Sequence, residues 1–195
     1  GDVLVRRRSL EDVNGFDPNL KAGEEPEMCA RLRAKGWRIL HIDAAMTEHD
    51  LAVRSFRAWA LRSYRSGIAY AEVAHRMKCL RDPMWQREAR RDFVHGSVYV
   101  LALLLLPLLL WQSPWVAAAL LFAAVGVLGR TVARSRWKSS DTLTLWLYAV
   151  HSHLQKIPAW WGQLAWYRAR HRHAVLGLVE YKTTQASGAS AMAVD

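Results

Sequence analysis

Cysteine is scarce: Cys29 and Cys79 are the only two in 195 residues, too few for a disulfide framework and ordinary for thiols in a reducing compartment. No glycine-rich loop of the kind that cradles a phosphate on backbone amides is present. Acidic residues are outnumbered, 17 Asp and Glu against 27 Lys and Arg, for a formal net charge of +10. That balance points to nucleic acid or to an anionic membrane face. The basic residues bracket apolar runs instead of forming one groove face, which sets nucleic acid aside. Ten tryptophans clustered near those runs favour the lipid–water interface. An initiator Met and a basic-then-apolar opening are both lacking, and "GDVLVRRRSL" begins like a strand in mid-domain. The chain therefore reads as the C-terminal piece of something larger.

Charge is absent altogether from "FVHGSVYVLALLLLPLLLW", residues 93–111. Its length matches the roughly 20 residues that cross a bilayer core, and Pro107 kinks such a helix without forbidding it. "WVAAALLFAAVGVLG", residues 115–129, follows after "QSP". At a rise of about 1.5 Å per residue it spans only about 23 Å, short for a full crossing. A buried hairpin of a soluble protein is the alternative. Arg81, Arg87, Arg90 and Arg91 precede the first run, Arg130, Arg134, Arg136 and Lys138 follow the second, and the loop between carries no positive charge. The positive-inside rule then puts both flanks in the cytoplasm and the tight turn outside. A multi-pass protein of a bacterial inner membrane is the expected localisation.

Amphipathic stretches flank this hairpin of residues 93–130. Within residues 54–92, Phe56, Trp59, Ala60, Tyr64, Gly67, Ile68 and Ala71 recur at steps of three and four, with Arg54, Arg57, Arg62 and Arg65 largely off the stripe. Residues 131–182 repeat the pattern with Leu143, Leu147, Val150, Leu154, Ile157, Trp161 and Leu164, broken at Pro158. A pair of interfacial helices is expected there, not a third crossing. The Ala, Ser and Gly-rich end, residues 183–195, reads as a disordered tail.

Residues 1–53 read as a short α/β piece. "VLVRR" has the character of a buried strand, "SLEDVNGF" of a short helix closed at Asn14-Gly15, and "WRILHID" of a second strand. Between them Pro26 suits the first turn of a helix and Gly36 its stop, with Met28 and Leu32 on one face, Cys29 beside them, and Glu27, Arg31 and Lys35 on another. Glu24 and Glu25 open this helix. Carboxylates there meet unpaired amide donors and the positive dipole end, so a simple helix cap explains them. Held rigidly and aimed outward, they also suit proton transfer.

"VNGFD" (13–17), "GEEPEM" (23–28), "WRILHID" (37–43) and His49 in "TEHD" resemble, in order and spacing, the second half of the catalytic domain of GT-A-type family 2 glycosyltransferases. The resemblance covers about the first seventy residues, and several spaced matches are far more specific than any one. It implies an α/β fragment of a GT-A glycosyltransferase domain, followed by interfacial amphipathic helices and a two-helix transmembrane hairpin. It places Glu25 at the family's catalytic base. The family usually has Asp there, so the side chain reaches one methylene further and the choice between Glu24 and Glu25 stays open.

By the same resemblance His49 stands near a divalent metal, Mg2+ or Mn2+, whose main ligands lie outside this chain; on its own, a His after a strand is ordinarily structural. Arg62 and Arg65 either neutralise diphosphate or acceptor charge or form the solvated face of an interfacial helix. The alternate histidines His151 and His153, and His171 and His173, read as interface residues and not as metal ligands. The family's Asp-x-Asp is missing, which implies that the nucleotide-binding half lies upstream and that this chain alone neither binds a nucleotide sugar nor acts. Missing too is the Gln-x-x-Arg-Trp of processive synthases, "QREARR" at 86–91 being the nearest approach, so transfer of single sugars is expected. The implied function is a membrane-anchored inverting transferase moving a sugar from a nucleotide-sugar donor to a lipid-linked or membrane-proximal glycan. A non-catalytic membrane scaffold is the rival.

Overall fold

A computed structural model describes residues 3–20, 22–42, 53–79, 83–172 and 174. Among these residues seven helices follow one another: α1 (Arg7–Asp12), α2 (Glu24–Ala34), α3 (Phe56–Arg76), α4 (Gln86–Gln112), α5 (Pro114–Ser135), α6 (Thr142–Leu154) and α7 (Lys156–His171), with a 3-10 turn at Met77–Cys79 after α3.

The expectation of an α/β fragment is overturned, because no strand occurs among the described residues. Of the two segments read as strands, residues 3–7 and 37–43, positions 3–6 and 37–42 have no regular structure, Arg7 opens α1, and residue 43 lies outside the described residues. A strand is stable only when a neighbour pairs its backbone. Neither segment forms a ladder, and Leu4 and Leu40 stay 94% and 83% exposed. Short apolar runs satisfy the strand pattern without specifying a partner.

The helix ends follow local chemistry. After α1, Asn14 and Gly15 take φ of 57° and 66°, and Gly15 N–H donates to the Leu10 carbonyl at 2.9 Å. At the end of α2, Gly36 (φ 85°) donates to Arg33 O and Trp37 to Leu32 O, at 2.9 and 3.0 Å, so the last carbonyls are satisfied and Trp37 folds back onto the helix. Ser55 Oγ caps α3 by accepting from Ala58 N–H at 3.1 Å. The Asp141 carboxylate caps α6, accepting from Leu143 and Thr144 N–H. Between α4 and α5 only Ser113 intervenes, with Pro114 at the start of α5.

Packing joins these helices into a bundle. α3 crosses α7 at glycines: a methyl group on Gly67 would overlap the Ala159 carbonyl, and one on Gly162 would overlap that of Tyr64. Gly96 likewise admits Trp160 between α4 and α7. Polar contacts reinforce that seam, with Lys156 Nζ 2.6 Å from the Asp92 carboxylate and Trp160 Nε1 donating to Ser97 Oγ at 2.8 Å. Val132 on α5 packs against Leu145 and Ala149 on α6.

The N-terminal unit docks through two clusters. Val13, Met28 and Leu32, with Val5, Leu10, Cys29 and Trp37 around them, hold α1 to α2. Leu20, Ala30, Val73 and Met77, flanked by Met84 and Trp85, hold that pair to α3. The Met28 and Leu32 face read from the sequence is thus buried, and Cys29 is a free, half-buried thiol whose pKa is raised by burial and by the charge of Glu25.

Among the described residues two helices are long and apolar enough to cross a membrane, residues 86–111 and 114–135, and both keep their apolar surfaces exposed. The second is longer than its apolar core alone indicated: 22 residues at about 1.5 Å each reach about 33 Å. α6 and α7, at 13 and 16 residues, are too short for a comparable crossing, and Pro158 sits in the first turn of α7 where its missing N–H does no harm.

Candidate functional site

α2 begins against α3. Gly23 precedes it in the left-handed region (φ 84°), and a Cβ there would stand 2.9 Å from Val73 Cγ2 and 3.3 Å from the Trp85 ring. Both the backbone angle and the space demand glycine at this position. Glu24, Glu25 and Glu27 fill the first turn, where the unpaired amides and the dipole favour carboxylates.

The three differ in role. Glu27 is buried and forms a bidentate pair with Arg31, both contacts at 2.8 Å. Arg31 also donates to the carbonyls of Val13 and Gly15, tying the turn after α1 to α2. Glu24 is exposed and Glu25 half-buried, whereas Glu27 is enclosed in its pair with Arg31.

A pocket of about 310 Å³ lies beside this helix start, and Gly23, Arg62, Arg65, Ser66, Tyr70 and Trp85 line it. The structure therefore brings Arg62 and Arg65, one turn apart on α3, to the residue that immediately precedes Glu24 and Glu25. The two carboxylates do not themselves line the pocket. Arg62, Ser66, Ala69 and Val73 form a second helical face of α3, turned toward α2.

Tyr70 and Trp85 escaped sequence reasoning. Their rings pack edge to face, 4.8 Å between centroids, and make the apolar wall of the pocket. Tyr70 falls on the same face as Arg62, Ser66 and Ala69, a signal present in the spacing; Trp85 lies between helices and left none. Its φ of 60° is strained for so bulky a residue. Burial, then the nearby Asp92 charge, raise the pKa of the Tyr70 hydroxyl, which keeps it neutral and able to donate a hydrogen bond.

His49 lies outside the described residues. Among the described residues no three His, Cys, Asp or Glu side chains converge as metal ligands would. His153 is a structural bridge: Tyr99 Oη is 2.5 Å from its Nδ1 and Thr131 Oγ1 2.9 Å from its Nε2, linking α4, α5 and α6.

Over 74 residues the chain is 31% identical to the pre-mycofactocin glycosyltransferase of Mycobacterium tuberculosis strain CDC 1551 / Oshkosh, and equally to that of strain ATCC 25618 / H37Rv. The aligned part is 38% of this chain and 16% of those relatives, so the chain spans far less than two thirds of their length. No family model matches the chain, and no solved structure matches it.

Proposed function

We propose that the chain is part of a membrane-associated glycosyltransferase of the family 2 type. It moves a sugar, with inversion, from a nucleotide-sugar donor to a lipid-linked or membrane-proximal glycan. The similarity to a glycosyltransferase supports the reaction class, and the two long apolar helices support the membrane setting. The observation that carries the reading furthest is the pocket at the start of α2, where two guanidinium groups and an aromatic pair meet the residue before Glu24 and Glu25.

Each part has a task in sugar transfer. Attack by an acceptor hydroxyl needs a base to take its proton, and Glu25, or Glu24 beside it, fills that role. The leaving nucleoside diphosphate gains charge as the sugar departs, and Arg62 and Arg65 offset it. Tyr70 and Trp85 offer an apolar face to a sugar ring. Basic residues on both flanks of the α4–α5 hairpin favour the cytoplasmic side for this site.

The test compares membranes from cells with and without the gene, each supplied with a panel of radiolabelled nucleotide sugars. One labelled lipid or glycan product is expected to vanish with the gene. Identical labelling from every donor would remove the assignment.

A further inference from the structure

A second groove, sharing no lining residue with the first, opens where the end of α3, the start of α4 and α7 meet. It encloses about 630 Å³. His75, Lys78, Arg87 and Arg90 line it, with Phe93 and Tyr167 completing one wall. No carboxylate lines it. Of the neighbouring acids, Asp92 pairs with Lys156 at 2.6 Å, Asp17 and Glu72 both pair with Arg76, and Glu88, exposed on α4, is not among the lining residues. None of the ion pairs among the described residues engages Lys78, Arg87 or Arg90. Positive charge is thus concentrated along the lining. The pKa of His75 is held below the ordinary range by burial first and then by Arg170 and Lys78.

The groove's place on the chain identifies the anion. Phe93 is the first residue of the uncharged run 93–111, and Arg90 stands one turn before it. One end of the groove is therefore cationic at headgroup depth, and the other leads onto the apolar surface of α4, where Val94, Val98 and Leu101 are exposed. A free anion would use only the first end. A glycerophospholipid uses both, phosphate among the cations and acyl chains along the helix, as basic pockets at the cytoplasmic ends of membrane helices do.

We propose that this groove binds the phosphate of an anionic bilayer phospholipid. The proposal rests on the membrane reading of α4 and α5, and the experiment separates the two. Flotation with pure phosphatidylcholine vesicles tests the membrane reading alone; failure to float overturns it and the lipid site with it. The site is then tested by native mass spectrometry of the full chain, released from mixed phosphatidylcholine and phosphatidylglycerol and scored for retained phosphatidylglycerol.

Three proteins are compared: the wild type, the double variant Arg87→Gln with Arg90→Gln, and the charge-matched control Arg134→Gln with Arg136→Gln at the end of α5. At about fivefold for each basic side chain near an anionic headgroup, the first pair costs roughly 30-fold in preference for phosphatidylglycerol. The control stays near the wild-type preference. Equal losses in both variants, or none in the first, overturn the site. Inorganic phosphate in large excess is expected to leave the lipid in place; its displacement by phosphate would reassign the groove to a free anion and overturn the lipid assignment.

Discussion

Glu24, Glu25 and Glu27 occupy one helical turn yet meet different surroundings, and burial decides what each does. Glu27, 4% exposed, is committed to Arg31, whose remaining donors reach Val13 and Gly15. Replacing Arg31 by Met strands a buried carboxylate and two carbonyls; with the guanidinium itself partly exposed, the loss is about 2–3 kcal/mol. Urea unfolding of the purified chain in detergent measures it. The four-residue spacing of Glu27 and Arg31 was legible in the sequence. The carbonyls that complete the network, 16 and 18 residues away, were not, because only the fold brings them near. The same holds at the pocket. Arg62 and Arg65 were recognisable as a basic pair, but that they meet Gly23 follows from the docking of α2 on α3.

Helix boundaries carry their own instructions, and Asn14-Gly15, Gly36 and Pro158 each mark an end or a beginning where the sequence placed it. Strands carry none without a partner, which is why residues 3–6 and 37–42 were misread. Crossings between helices are intermediate: small residues permit close approach without naming the opposite helix. Gly67 appeared within the apolar stripe, and its counterpart Gly162 emerges only in the bundle. Replacing Gly162 by Leu drives a side chain into the Tyr64 carbonyl and separates α3 from α7. A loss of about 3 kcal/mol is expected, read as a lower melting temperature by tryptophan fluorescence.

The bridge at His153 responds to acid. Burial first, then Lys156 and His95, hold its pKa low, while Tyr99 and Thr131 occupy its two nitrogens. A histidine whose folded pKa lies below its unfolded value of about 6.5 gives its full contribution above that value and loses it as pH falls through the folded pKa. Acidification from about pH 7.5 to 5.5 therefore lowers the melting temperature. His153→Asn removes part of that slope, His75, also held low, keeping some of it.

At the scale of the molecule, apolar surface and basic charge together argue for the proposed orientation. α4 and α5 form a hairpin with a one-residue turn at Ser113, and the basic residues sit at its opposite end. The hairpin was readable from hydropathy, but its true length was not, because α5 continues past the apolar core to Ser135. In a background lacking Cys29 and Cys79, Ser113→Cys is expected to react with an impermeant maleimide on intact cells, and Arg136→Cys only after permeabilisation. The reverse pattern would move the Glu25 site to the outer face.

The most direct measurement is the rate of sugar transfer in membranes whose chromosomal copy carries Glu25→Gln, at matched protein level. Loss of a general base lowers the rate about 10²- to 10⁴-fold, with partial recovery in Glu25→Asp. A wild-type rate in both Glu25→Gln and Glu24→Gln would contradict the account and leave these carboxylates as the cap of a helix in a membrane scaffold.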